Sequence, residues 1–419
     1  MNEFFEPLPQ PRVEAELAIR RCRLHRRPQP VALQARRCVY PQRANYSLAM
    51  SRLAANVTRM QALAFRLARH HLMTRLDRAE IDAAAVVGLQ DTPPGTAGLA
   101  LAARADAGPD ALAELVLVPS VRGAPLAVAP QDLAVFTAGL DPPDEEAARA
   151  VVGNAWKSLD GISAIEALDR VSEAVFDSLR DGPRPRDDFH QALRDRLPKE
   201  LLWWCKGCKS HHVHPSLWRA TGVRGVLAIV GREGRSAVFG LPPAAPKLAD
   251  PGAELARRFL QAYGPARPKL LADWAGLASS HATALWNRAG SLVEVDLEGR
   301  KAWALAGDEL ALVDAAATDA VRLLPNLDPL NTARDRELLV ADPAVRKRIW
   351  TVLGGPGTVL VGAELGGLWR PAKKGRTLLI TVEPLGELTP SRRDELAAEA
   401  ERLAPFRGAE RADVRIATV

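Results

Sequence analysis

The chain has 419 residues, 47% of them apolar and 25% charged, the proportions of a folded protein of about three domains. No stretch reaches the roughly 18 unbroken apolar residues of a membrane span, no secretory signal pattern opens the chain, and four cysteines are too few for a disulfide framework, so a cytoplasmic location is expected. Lys and Arg outnumber Asp and Glu by 56 to 50, a net charge of +6 that permits a nucleic-acid partner without requiring one.

Residues 1–56 are punctuated by Pro7, Pro9, Pro11, Pro28, Pro30 and Pro41 and carry Arg20, Arg21, Arg23, Arg26 and Arg27. This basic segment reads as a disordered nucleic-acid-binding arm, or as sequence ahead of a later start at Met50 or Met60. Glu3, Glu6, Glu14 and Glu16 argue against an organelle-targeting leader. From residue 57 amphipathic patterns predict helices over 61–73 and 78–86, then a third after Gly95. A strand at 114–118 turns at Arg122-Gly123 and returns over 125–128. Three helices followed by a hairpin is the order of a winged helix.

The same order returns twice. After an acidic linker at 141–146, helices at 163–179, 187–196 and 215–221 precede strands 226–230 and 235–239, joined by Gly231-Arg232-Glu233-Gly234. Helices at 252–263, 269–277 and 280–289 then precede strands 291–296 and 301–305, joined by Leu297-Glu298-Gly299-Arg300. Beyond 319 the chain is strand-rich, with runs at 321–324, 358–361, 365–369 and 377–382, a helix at 391–403 and a closing strand at 412–416. The expected fold is α+β, mainly α. Its parts are the segment 1–56, winged-helix units over 57–150, 151–248 and 249–318, and a β-rich C-terminal domain over 319–419.

Three groups of residues could carry chemistry. Gln90, Asp91 and Thr92 lie between an apolar approach and an apolar helix, with Pro93-Pro94 ending the first element at Thr92. They read either as polar groups aimed into a cleft or as a loop in which Asp91 or Thr92 caps the next helix. If the stretch is extended, Gln90 and Thr92 share one face and Asp91 points away. Cys205 and Cys208, at CxxC spacing, precede His211, His212 and His214. Two thiolates and two of the three imidazoles would close a structural zinc site; ordinary thiols beside polar histidines are the alternative. Arg122, Arg232, Arg235 and Arg300 near hairpin tips, with Lys373, Lys374 and Arg376 in the last domain, are candidate phosphate contacts. Singly each is a solvated charge; together they could form a track. Asp328, Asp335 and Arg336 are expected to brace the last domain, and Trp369 to be core. There is no phosphate-binding GxxxxGK[ST] loop, dinucleotide fingerprint or HExxH motif, so no nucleotide cofactor is expected.

Dispersed passages, in order, carry a resemblance: GLQ at 88–90, Arg122-Gly123 with PQDLAVFTAGL at 130–140, LLPNLDP at 323–329, ARDRELL at 333–339 and VGAELGGLWRP at 361–371. From about residue 57 onward the chain resembles the AlkZ-like and YcaQ-like winged-helix DNA glycosylases. The resemblance implies three tandem winged-helix units in a C-shaped arrangement around a DNA-binding cleft, followed by a small β-barrel-like domain. It implies a monofunctional glycosylase that releases alkylated, N7-substituted purines from duplex DNA, in some members from crosslinked DNA, with no cofactor required for catalysis. With tandem units in one chain, a monomer near the nucleoid is expected. The family's motif is Gln, an apolar residue, then Gln or Asp, which orients or activates a water. Gln90 stands first; Asp91 replaces the apolar residue and Thr92 stands third. A non-catalytic regulator or lesion binder of the same fold is the alternative.

Overall fold

The computed structural model describes residues 55–417 except 160, 317, 352 and 353. The basic arm expected over 1–56 therefore lies outside the described residues, apart from its last two. Those two are folded: β1 (Ala55–Val57) starts earlier than the sequence pattern suggests, because its partner strand lies some 240 residues away. Thr58 then caps α1 (Arg59–Arg69) in a reciprocal box with Gln61. A short α2 (Ile81–Ala84) leads to β2 (Leu89–Gln90), α3 (Thr96–Arg104) and the hairpin β3 (Val116–Pro119) and β4 (Pro125–Val128). β2 adds to that hairpin as an antiparallel third strand, giving the order β2-β4-β3.

The predicted acidic linker is partly helical. Asp144 accepts from Ala147 N at 2.9 Å and starts α5 (Glu145–Val152), which follows the single turn α4 (Leu133–Phe136). The second stretch runs α6 (Ala164–Leu179), β5 (Arg184–Pro185), α7 (Arg186–Arg196), an unforeseen hairpin of β6 (Leu202–Cys205) and β7 (Ser210–Val213), α8 (Pro215–Ala220), β8 (Ala228–Glu233) and β9 (Ser236–Gly240). The third runs α9 (Pro251–Tyr263), α10 (Pro268–Ala275), α11 (Ser279–Trp286), β10 (Leu292–Leu297) and β11 (Arg300–Leu305). Its turn has positive φ at both Glu298 and Gly299, the conformation two-residue hairpin loops favour. β1 joins β10 in parallel.

After α12 (Glu309–Val313), the last region contains β12 (Val321–Leu324), α13 (Pro329–Thr332), α14 (Arg336–Leu339), α15 (Pro343–Ile349), β13 (Gly357–Val361), β14 (Glu364–Lys374), β15 (Thr377–Pro384), α16 (Pro390–Leu403) and β16 (Arg411–Ile416). The five strands form one curled half-barrel in the order β12-β13-β14-β15-β16, so the expected barrel is open between its first and last strands.

Packing ignores the chain order. The hairpin β3–β4 shares a core with the second and third stretches. Leu99 and Ala102 of α3 pack instead with Trp369, Ile380 and Leu396 of the half-barrel and α16. Gly222, after α8, explains how closely two stretches approach: a methyl there would lie 1.9 Å from the Pro119 carbonyl oxygen of β3. β8 then lies against β3 and carries Arg232 toward the turn after β2.

Among the described residues, no helix is long and apolar enough to cross a membrane.

Candidate active site

Gln90 ends β2, paired with Leu126 of β4. Gly88, two residues before it, has φ +74°, and a side chain there would meet Leu126 at 2.9 Å. The strand is therefore pressed against its neighbour up to the residue that follows it. The Asp91 amide extends this grip by donating to Pro125 O at 2.9 Å. Behind Gln90, Thr96 Oγ1 donates to the carbonyls of Gln90 and Pro93 at 2.9 and 2.8 Å. The Gln90 backbone is thus fixed on both sides, while its side-chain amide makes no hydrogen bond to another described residue. The residue is only 7% exposed.

Asp91 is equally buried but fully engaged. Oδ1 accepts from Gly95 N at 2.6 Å and Ala97 N at 3.2 Å, capping α3, and Oδ2 meets Arg232 at 3.0 Å. Of the two sequence readings, the cap is the one the geometry gives to Asp91. Thr92 is exposed and lies past the end of β2, so it does not share a strand face with Gln90. A residue that sequence reasoning missed flanks the turn from the other side: a methyl on Gly95 would lie 3.4 Å from Arg407 Nη1. Some 300 residues separate the two in the chain, and nothing local signals the approach.

The seven candidate phosphate contacts divide in two. Arg122 is half-buried; its guanidinium donates to the Trp274 carbonyl, and desolvation with nearby Arg334 lowers its pKa to about 10. It clamps the β3–β4 turn to α10 rather than projecting from a tip. Arg232 pairs with Asp91, Lys373 donates to Gly408 O at 2.7 Å, and Arg376 pairs with Glu410. Arg235, Arg300 and Lys374 are exposed and have no ion pair among the described residues. The bracing expected of the last domain is present: Asp328 pairs with Arg104, Asp335 with Arg66, Arg336 stacks on Trp350, and Trp369 is buried.

A family model described as DNA glycosylase AlkZ-like matches residues 83–406. The chain belongs to the AlkZ-like DNA glycosylase family. Streptomyces sahachiroi DNA glycosylase AlkZ has a similar fold, with a TM-score of 0.66 and 22% identity over 86% of this chain and 100% of that one. No curated protein matches. The family match contains Gln90, its flanking turn and the cysteine hairpin.

That hairpin brings together three of the five predicted metal ligands. Pairing of Cys205 with Ser210 and of Trp203 with His212 places Cys205 and His212 on one face of β6–β7. Cys208, in the turn, folds back toward them, so that the three ligand atoms all lie within 4.8 Å of one another. His211 is on the opposite face against Trp204, with ring centroids 4.9 Å apart. His214 caps α8, its Nδ1 accepting from Ser216 N at 3.2 Å. The strand period excludes the first and the cap occupies the second. Hydrogen bonds from Ser210 and Cys205 lower the Cys208 thiol to about 7. His190 of α7 lines the same 240 Å³ cavity as Cys208 and His212. It was not foreseen, because it precedes the cluster by 15 residues and belongs to a helix.

Proposed function

We propose that the chain hydrolyses the N-glycosidic bond of N7-alkylated purines in duplex DNA, with Gln90 holding the attacking water. The observation that carries this reading is the contrast at β2. A buried glutamine whose side-chain amide has no protein partner ends a strand held by β4, the Thr96 hydroxyl and Asp91. Such a side chain can accept from a water through its Oε1 and donate through its Nε2 without rearranging its support.

The chemistry suits a residue that is not a base. An N7-alkylated purine is cationic, so the C1′–N9 electron pair leaves with the base and neutralises it without an acid. Water oxygen adds to C1′ and gives its proton to solvent, leaving an abasic sugar. Gln90 would supply position and a dipole toward the charged sugar. Asp91 positions the turn, because its carboxylate already serves α3 and Arg232. Water is the only co-reactant, so the step calls for no redox or nucleotide cofactor.

Three helix–helix–helix–hairpin runs support a reading as tandem winged-helix units, which would let one chain follow a duplex as a monomer. Arg235, Arg300, Lys374 and Arg407 are the proposed phosphate contacts. Release of 7-methylguanine from methylated duplex is the test. The wild type is expected to release it, and Gln90→Ala to lose about 100-fold or more with duplex affinity retained. Equal release by the variant removes Gln90 from the mechanism. No release by wild type from methylated and crosslinked duplexes leaves a lesion-binding protein.

A further inference from the structure

We propose that Cys205, Cys208, His212 and His190 form a tetrahedral zinc-type site that ties the β6–β7 hairpin to α7. The two thiolates come from the strand end and turn of one hairpin, and the first imidazole from the facing strand. Zinc bonds of about 2.3 Å to sulfur and 2.0 Å to nitrogen place ligand atoms roughly 3.5 Å apart, a modest contraction for Cys205, Cys208 and His212, whose ligand atoms already lie within 4.8 Å of one another.

Both histidines are prepared for the role. His212 Nδ1 lies 2.8 Å from the Val213 carbonyl, which can only accept. The proton is therefore on Nδ1, and Nε2 has its lone pair free, the usual division of labour in a metal-bound histidine. His190 Nδ1 is buried with no hydrogen-bond partner among the described residues, and its ring lies 6.0 Å from that of His212. A buried ring nitrogen without a partner is costly, and ligation satisfies it once the ring moves in to join the other three ligand atoms.

The hairpin has little other support, chiefly Val213 and the partly buried Leu202 against the main core. β6 and β7 pair only with each other, Trp203 and Trp204 are exposed, and Val213 is their one fully buried residue. Two-stranded ribbons are marginal in water, and a shared ion would fasten this one to a helix. Arg186, Arg194 and Arg219 also line the cavity against the single carboxylate of Asp187, so a bare dication is disfavoured there. Two thiolates cancel its charge and select a soft metal over calcium or magnesium. Four protein ligands leave no open position, which makes the site structural rather than catalytic.

The test uses the full chain purified without a His tag. Elemental analysis should find one zinc per chain. The chelator-stripped protein titrated with Co²⁺ should develop thiolate charge-transfer and tetrahedral ligand-field bands. His190→Ala should weaken Co²⁺ binding at least about tenfold, whereas His211→Ala and His214→Ala should leave it unchanged. His212→Cys should keep the metal and strengthen the charge-transfer band, which separates lost ligation from lost folding. Zinc near zero with no cobalt spectrum, a CxxC isolated as a disulfide that stays metal-free after reduction, or unchanged affinity in His190→Ala would overturn the assignment.

Discussion

The turn at Gln90 and the hairpin at Cys205 both present polar side chains, yet they are held by opposite means. The turn is braced from behind: β4 on one side, the Thr96 hydroxyl on the other, and Asp91 tied to α3 and β8. The Gln90 side-chain amide is left free because the support at this turn passes through other atoms. The hairpin has thinner backing, chiefly Val213 and Leu202 against the core, and its own side chains converge on one another. Rigidity at the turn comes from neighbouring elements, whereas a short two-stranded ribbon gains most from groups that tie it to a neighbour.

The comparison breaks most sharply beneath α3. Arg104, at the end of the helix that starts from the Gln90 turn, is 1% exposed and meets fully buried Asp328 through two bonds of 2.8 and 2.7 Å. Asp328→Asn leaves the guanidinium charge buried and uncompensated, while an amide can still serve α13 as a cap. A loss of about 3–5 kcal/mol is expected in urea denaturation. Replacing both partners by apolar residues of similar volume should recover most of it. Recovery would show that the pair is needed only because half of it is intolerable. A loss below 1 kcal/mol would mean that α3 is held chiefly by its apolar contacts with the half-barrel.

Acid sharpens the same contrast. His70, at the end of α1, is buried, and burial with the charges of Arg104 and Arg66 pushes its pKa well below 6.5. The unfolded chain therefore takes up this proton first. Stability from this group is complete above about pH 6.5 and falls as the pH drops toward the lowered folded-state value. The slope contributed is at most about 1.4 kcal/mol per pH unit. His70→Gln should flatten the urea midpoint between pH 6.5 and 5 relative to wild type. An unchanged profile would place the acid sensitivity elsewhere.

The sequence was most legible where structure is local. The helix expected at 163–179 is α6, capped by Ser163, and Glu298-Gly299 makes the tight turn its composition suggests. It was least legible where partners are distant. β1 depends on β10, the close approach at Gly222 depends on β3, and Arg407 reaches the Gln90 turn from near the C-terminus. The metal candidates show both sides. CxxC spacing marks Cys205 and Cys208, but the hairpin whose alternation selects His212 over His211 leaves no clear pattern, and no spacing rule includes a histidine on the preceding helix. Arg122 failed as a tip residue for a similar reason, because its acceptor, Trp274, belongs to a later helix.

The smallest expected effect decides what Asp91 does. Asn caps helices about as well as Asp, so Asp91→Asn keeps the bonds to Gly95 and Ala97 and removes only the charge facing Arg232. Arg232 is partly exposed at 29%, and solvent screens much of that pair, so stability should fall by less than about 1 kcal/mol. If the carboxylate only shapes the turn, 7-methylguanine release should stay within about tenfold of wild type, far from the loss expected of Gln90→Ala. If Asp91 removes a proton from the water, the amide cannot, and release should fall by about 100-fold or more with the fold intact. A duplex-binding measurement on the same variant completes the distinction. Arg232, freed from its partner, should bind phosphate at least as well as before, so weaker binding in Asp91→Asn would show that the turn itself had moved.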